Sequence, residues 1–232
     1  MASANLKRVT ITLNEGQDLS GLLVAPPTAR ACYVMAHGAG AGMDHPFMGS
    51  VAEGLAERGV ATLRYQFPYM QRGSKRPDVP KVAHAAVRAA VAAMAQLAPD
   101  LSIIAGGKSY GGRMTSQAHA ASPLPTVRGL AFLGFPLHPA GRPSEERGVH
   151  LFEVRLPMIF LQGSRDKLAE LHVLEPLVMK LGARATLKLL LDADHSFHVG
   201  ARTGRKDADV RAEMLDVLAR WIEKVLTSPE GP

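Results

Sequence analysis

A chain of 232 residues, 47% of them hydrophobic, is long enough to bury a sizeable core in one domain, or in two small ones at most. Its net charge of +6 gathers partly at Arg64, Arg72, Lys75, Arg76 and Lys81, without interleaved aromatics, zinc-ligand spacing or a reader motif. A solvated basic loop is expected there rather than a nucleic-acid interface. Mean hydropathy is +0.02, no apolar run approaches the ~20 residues that span a bilayer, residues 1–8 lack the apolar stretch of a secretory leader, and the lone cysteine, Cys32, excludes an intramolecular disulfide; a cytoplasmic protein without a membrane partner is expected.

The chain opens with two strand candidates, 8–13 and 19–25, around Asn14-Glu15-Gly16-Gln17-Asp18, residue types that make a hairpin turn. A third strand, 31–36, contains Cys32, which has no flanking turn and reads as a buried thiol. Then the signal alternates. A helix over 47–58 stops at Gly59, a strand covers 60–65, and an alanine-rich helix covers 81–97. A strand at 101–106 leads into Gly107-Lys108-Ser109-Tyr110-Gly111, and a helix over 110–121 leads out. The second half repeats the pattern: strands at 127–135, 156–162 and 185–191, a helix over 168–181, and a closing amphipathic helix over 208–226. Most of these strands are continuous apolar runs, as strands buried on both faces are. The pattern predicts an α/β fold: a mostly parallel eight-stranded sheet flanked by helices, one domain, no separate cap. The segments 67–80 and 136–150 are the loops expected to shape a pocket.

The pentapeptide at 107–111 is a G-x-S-x-G motif between strand and helix, the context of a nucleophile elbow. There Ser109 should sit at a strained positive φ, and Gly107 and Gly111 should let strand and helix pass closely. The overlapping Gly107-Lys108-Ser109 imitates a P-loop, but a Gly would be needed at 102, which is Ser. The run Gly38-Ala39-Gly40-Ala41-Gly42 is likewise no dinucleotide loop, because Met43 stands where the third Gly should fall and no acid follows at strand's end about twenty residues on.

A serine needs a base, and the base needs an orienting carboxylate, in the chain order Ser, acid, His. Asp166, after the strand and turn Met158 to Arg165, is the candidate acid; its alternative role is a helix N-cap. His195, in the loop after the last strand, is the candidate base, with His198 as its rival. Asp192 and Asp194 are rival acids. Backbone donors for an oxyanion are expected from Tyr110 and from Ala39, with Gly40 as the alternative to Ala39. The other histidines, His37 among them, are scattered and show no metal spacing.

Four strings carry a resemblance: His37 through Met48 (HGAGAGMDHPFM), Phe67-Pro68-Tyr69-Met70, Gly107 through Met114 (GKSYGGRM) and Gly134-Phe135-Pro136-Leu137-His138-Pro139. With Leu161 through Asp166 and Asp194-His195-Ser196-Phe197, the chain resembles, over about residues 20 to 226, the small dienelactone-hydrolase-like α/β-hydrolases. Eukaryotic relatives of that group include a testis-expressed protein and a subunit of a histone-acetyltransferase complex. The resemblance implies a lidless α/β-hydrolase with Ser109, Asp166 and His195 as its triad. True dienelactone hydrolases carry Cys at the nucleophile position, so their substrate does not transfer to Ser109. Tyr110 also stands where these relatives often have Met, which should change a side chain near the acyl pocket.

The expected activity is hydrolysis of a small ester, thioester or lactone through an acyl-enzyme, without metal or cofactor. Tyr69, Met70, Leu137 and His138 are the expected substrate-binding residues. The alternative is a scaffold or binding module with a vestigial triad.

Overall fold

The computed structural model describes residues 6–13 and 16–228. Positions 14 and 15 of the predicted turn, and 1–5 of the stretch read as lacking a leader, lie outside the described residues.

Strands β1 (Leu6–Leu13), β2 (Gln17–Val24), β3 (Ala31–Ala36), β4 (Val60–Tyr65), β5 (Ser102–Lys108), β6 (Val127–Leu133), β7 (Met158–Gly163) and β8 (Ala185–Leu190) form one sheet. Their order across it is β1-β2-β4-β3-β5-β6-β7-β8. The first three in that order pair antiparallel, and every pairing from β4 to β8 is parallel. This is the mostly parallel eight-stranded sheet that the apolar runs predict. β3, β4 and β7 are buried along their whole length, because both faces are covered.

Helices α1 (Pro46–Ala56) and α6 (Asp207–Thr227) cover one face. Met48, Val51 and Leu55 meet Val210, Met214, Leu218 and Ile222 there, over Tyr33, Ile104 and Ile159 of the sheet. The short α2 (Pro68–Gln71) precedes α3 (Pro80–Leu97), and α3, α4 (Tyr110–Ala121) and α5 (Leu171–Leu181) lie on the opposite face, over Val34, Ala105, Phe132 and Phe160. Cys32 is fully buried in this second layer, and burial pushes its thiol up to about 12, which keeps it protonated and inert. The long stretch between β6 and β7 folds into a 3-10 helix, Glu146–Glu153, against α4 and α5. It does not form a cap domain.

Several boundaries differ from expectation, each for a tertiary reason. β5 runs on to Lys108, directly against the serine, because glycines at 106 and 107 leave its neighbours room: a Cβ on Gly106 would strike Ala131 O, and one on Gly107 would strike Ala36 O. β6 ends at Leu133 rather than 135, since Gly134 turns at φ 70° and its amide donates to Leu161 O at 2.8 Å. α5 begins at Leu171 rather than 168, with Glu170 as its N-cap residue. Residues 166–170 are drawn away from the helix: Leu168 N donates to Asp166 Oδ1 at 2.7 Å, and Glu170 N donates to His138 Nε2 at 3.1 Å. Asp166 is therefore not the N-cap of α5.

Candidate active site

The parallel strands all end at one edge, where an open α/β sheet presents its loops. Ser109 sits there between β5 and α4, with φ 50° and ψ −118°. Such a backbone is costly for a residue with a Cβ, on the order of 1–3 kcal/mol. It is held from both sides. Ser109 N donates to Leu133 O on the neighbouring strand at 3.1 Å, and its carbonyl accepts from Arg113 N in the first turn of α4 at 3.2 Å. The helix can start this close to the sheet because residue 111 has no side chain: a Cβ there would lie 2.5 Å from Ala36 O.

His195 reaches the serine from the loop after β8. Its Nε2 is 2.8 Å from Ser109 Oγ, and its Nδ1 is 2.6 Å from Asp166 Oδ2. A carboxylate only accepts, so the Nδ1 proton points at Asp166 and Nε2 is left to accept from the serine hydroxyl. Asp166 is buried, 3% exposed. Besides His195 it accepts from Gln162 Nε2 and from Leu168 N, so the charge is satisfied and its two oxygens are fixed in place.

The rival residues have other partners. His198 is exposed and faces Asp207, Nδ1 to Oδ2 at 2.9 Å, which raises its pKa. Asp192 pairs with Arg165 at 2.5 Å. Asp194 shapes the His195 loop from within: its Oδ1 accepts from Ser196 N at 2.7 Å and His198 N at 3.0 Å. A local carboxylate that ties up loop amides in this way holds the neighbouring ring without touching it.

Two residues with no assigned role in the sequence hold the site together. His37, at the end of β3, donates from Nδ1 to Gly38 O at 2.8 Å and accepts at Nε2 from Phe67 N at 3.1 Å. Burial pushes its pKa down to about 4, so the ring stays neutral, as the acceptor role demands. Its place directly before the glycine loop was the available signal. Lys108, dismissed as a P-loop decoy, donates from Nζ to His195 O at 2.6 Å and lies 5.2 Å from the centre of the Phe197 ring. Burial lowers its pKa to about 8, against the opposing pull of Asp166 and Asp194. Nothing in the local sequence links Lys108 to a carbonyl 87 residues away.

Ser109, His195, Ala39 and Lys108 line one cavity of about 330 Å³, with Phe47, Met48 and Leu168 as its apolar walls. Gly40 N donates to the Tyr69 hydroxyl at 3.2 Å, while Ala39 lines the cavity with the serine. As the first residue of α4, Tyr110 has an amide with no intrahelical acceptor. Its ring points elsewhere, packing edge-on against Phe67 at 5.4 Å and Tyr69 at 6.4 Å. Tyr69, Met70, Leu137 and His138 do not line the Ser109 cavity. Tyr69 is buried in the aromatic cluster, while Leu137 and His138 face a different cavity behind α4. The walls come instead from α1 and the Leu168 segment, because the HGAGAG loop delivers the start of α1 to the serine.

A family model described as Alpha/beta hydrolase domain matches residues 29–223. Among solved structures, the fold is similar to dienelactone hydrolase from Anabaena variabilis, with a TM-score of 0.76 at 20% identity over 96% of this chain and 98% of that one. It is similar to an α/β serine hydrolase without lid from Xanthomonas campestris, with a TM-score of 0.72 at 20% identity over 98% of this chain and 97% of that one. An α/β serine hydrolase homologue from Coxiella burnetii matches with a TM-score of 0.74 at 17% identity, over 94% and 99% of the two chains. At such identities these likenesses carry the fold.

Proposed function

The chain belongs to the alpha/beta hydrolase family, and on that premise we propose that it is a single-domain serine hydrolase cleaving a small carboxylic ester, thioester or lactone. The observation that carries the proposal is the continuous hydrogen-bonded line from Ser109 Oγ through His195 to Asp166, at 2.8 and 2.6 Å. His195 Nε2 takes the hydroxyl proton as Oγ attacks the substrate carbonyl carbon. Asp166 stabilises the imidazolium that forms. The Ala39 and Tyr110 amides donate to the oxyanion. Collapse of the tetrahedral species breaks the bond to the leaving group, which takes the proton from His195 and departs as an alcohol or thiol. Water, deprotonated by the same His195, then attacks the acyl-enzyme, and the carboxylic acid leaves with Ser109 restored. The drawn steps use no metal or cofactor. The cavity of about 330 Å³, with no cap domain above it among the described residues, favours a short acyl chain, and a lone buried thiol suits the reducing cytoplasm.

The test is labelling with a fluorophosphonate probe, together with hydrolysis of p-nitrophenyl esters of graded chain length. Modification of Ser109, a preference for short chains and a loss of ~10³-fold or more in kcat for Ser109→Ala are expected. A folded protein inert to both probe and esters would overturn the reading and leave the scaffold alternative.

A further inference from the structure

Behind α4, on the α3/α5 face of the sheet, lies a second cavity of about 390 Å³. Its walls are polar: Arg113 and Gln117 from α4, His138 and Ser144 from the loop after β6, and Glu146 and Arg147 from the start of the 3-10 helix. It shares no lining residue with the Ser109 cavity. His138 N donates to Leu168 O at 3.0 Å, and Leu168 belongs to the other side.

The two guanidiniums are the notable feature. Among the described residues neither forms an ion pair. Arg113 Nε is buried without a hydrogen-bond acceptor. Glu145, the acid next in sequence to this wall, is occupied by Lys180 at 2.9 Å, so Glu146 is the single carboxylate facing two cations. The surroundings register the excess. Burial first and the Arg147 charge second lower the pKa of Arg113. His150, bonded through Nε2 to Ser116 Oγ at 2.7 Å, is pushed down to about 4 by burial, then by Arg113 and His84. Two like charges in one cavity with a single carboxylate to offset them leave an excess of positive charge, and an added anion between them reverses the sign of their interaction. Guanidinium forks match the oxygens of carboxylates and phosphates in pairs. Ser144 Oγ already accepts from Glu146 N at 3.1 Å, which leaves its hydroxyl proton to donate inward.

We propose that this cavity is a binding site for a small anion carrying carboxylate or phosphate groups, held between Arg113 and Arg147. The site does not depend on the chemistry at Ser109.

The experiment is calorimetric titration of the whole protein at low ionic strength, with inorganic phosphate in one arm and citrate in the other. It is run on the wild type, Arg147→Gln, Arg113→Gln and Ser109→Ala, with circular dichroism as the check on folding. Saturable binding in at least one arm is expected, and the arm that responds identifies the group recognised. Arg147→Gln should weaken binding at least ~10-fold, the scale of a lost charge-assisted pair, and Ser109→Ala should leave it unchanged. Should Arg113→Gln fail to fold, Arg147→Gln and its partial rescue by Arg147→Lys still decide the matter. Absence of binding in both arms, binding untouched by Arg147→Gln, or binding lost in Ser109→Ala would overturn the proposal.

Discussion

Ser109 stands at φ 50° although it carries a side chain, and this strain should be measurable apart from activity. Replacing it by Gly removes both the hydroxyl and the Cβ, whereas Ala removes only the hydroxyl. Ser109→Gly should therefore be about 1 kcal/mol more stable than Ser109→Ala in urea unfolding, with both variants inactive on p-nitrophenyl esters. Equal stability would mean that the backbone stores nothing at this turn. At this scale the sequence was informative where chemistry requires a residue type. The motif marks Ser109, and chain order with strand ends marks Asp166 and His195. It was silent on roles that depend on a distant partner. Lys108 Nζ on His195 O and His37 between Gly38 and Phe67 are side chains whose meaning appears only when loops from different strands meet.

Elements were legible for a different reason. A strand buried on both faces has no choice but to be apolar, so β3, β4, β5 and β7 announce themselves. Ends are set by competition for backbone partners, which is why α5 starts three residues late once Asp166 and His138 have claimed the amides at 168 and 170. The lining of the Ser109 cavity follows similar grounds. The loops at 67–80 and 136–150 were the expected pocket segments, while α1 and Leu168 line the Ser109 cavity. The contact between α4 and β3 gives the sharpest test at this scale. At position 111 any Cβ would press on Ala36 O at 2.5 Å and on His37 O at 2.6 Å, both backbone atoms that cannot swing aside. Gly111→Ala should cost about 1–3 kcal/mol in urea unfolding and should lower ester hydrolysis, since the displaced groups lead into the 38–40 loop. A variant of wild-type stability would show that α4 rides freely on the sheet.

For the molecule as a whole, one buried imidazole, His37, and one partly buried, His150, set a lower pH limit. His37 and His150 ordinarily titrate near 6.5, and burial leads the causes that push both to about 4 in the fold. Between those values the unfolded chain binds more protons than the folded one, so stability decreases as pH falls through that window and is fully present above it. Urea midpoints should drop between pH 7 and pH 4.5. His37→Gln, which keeps a neutral acceptor, should show a shallower decline. A wild-type midpoint flat across that range would mean that neither ring is buried in its neutral form.

The order of the strands across the sheet has one further consequence, for a chain still being made. The serine follows β5, but its base arrives only after β8, and β6 and β7 must lie between them before β8 can take its edge position. A growing polypeptide that has already emerged past Ser109 therefore holds an ordinary alcohol, with no more reactivity than any other serine. On the proposed mechanism, nucleophilicity switches on once, near the end of synthesis, when the loop at 191–199 docks. The proposed activity is thereby withheld from the unfinished chain.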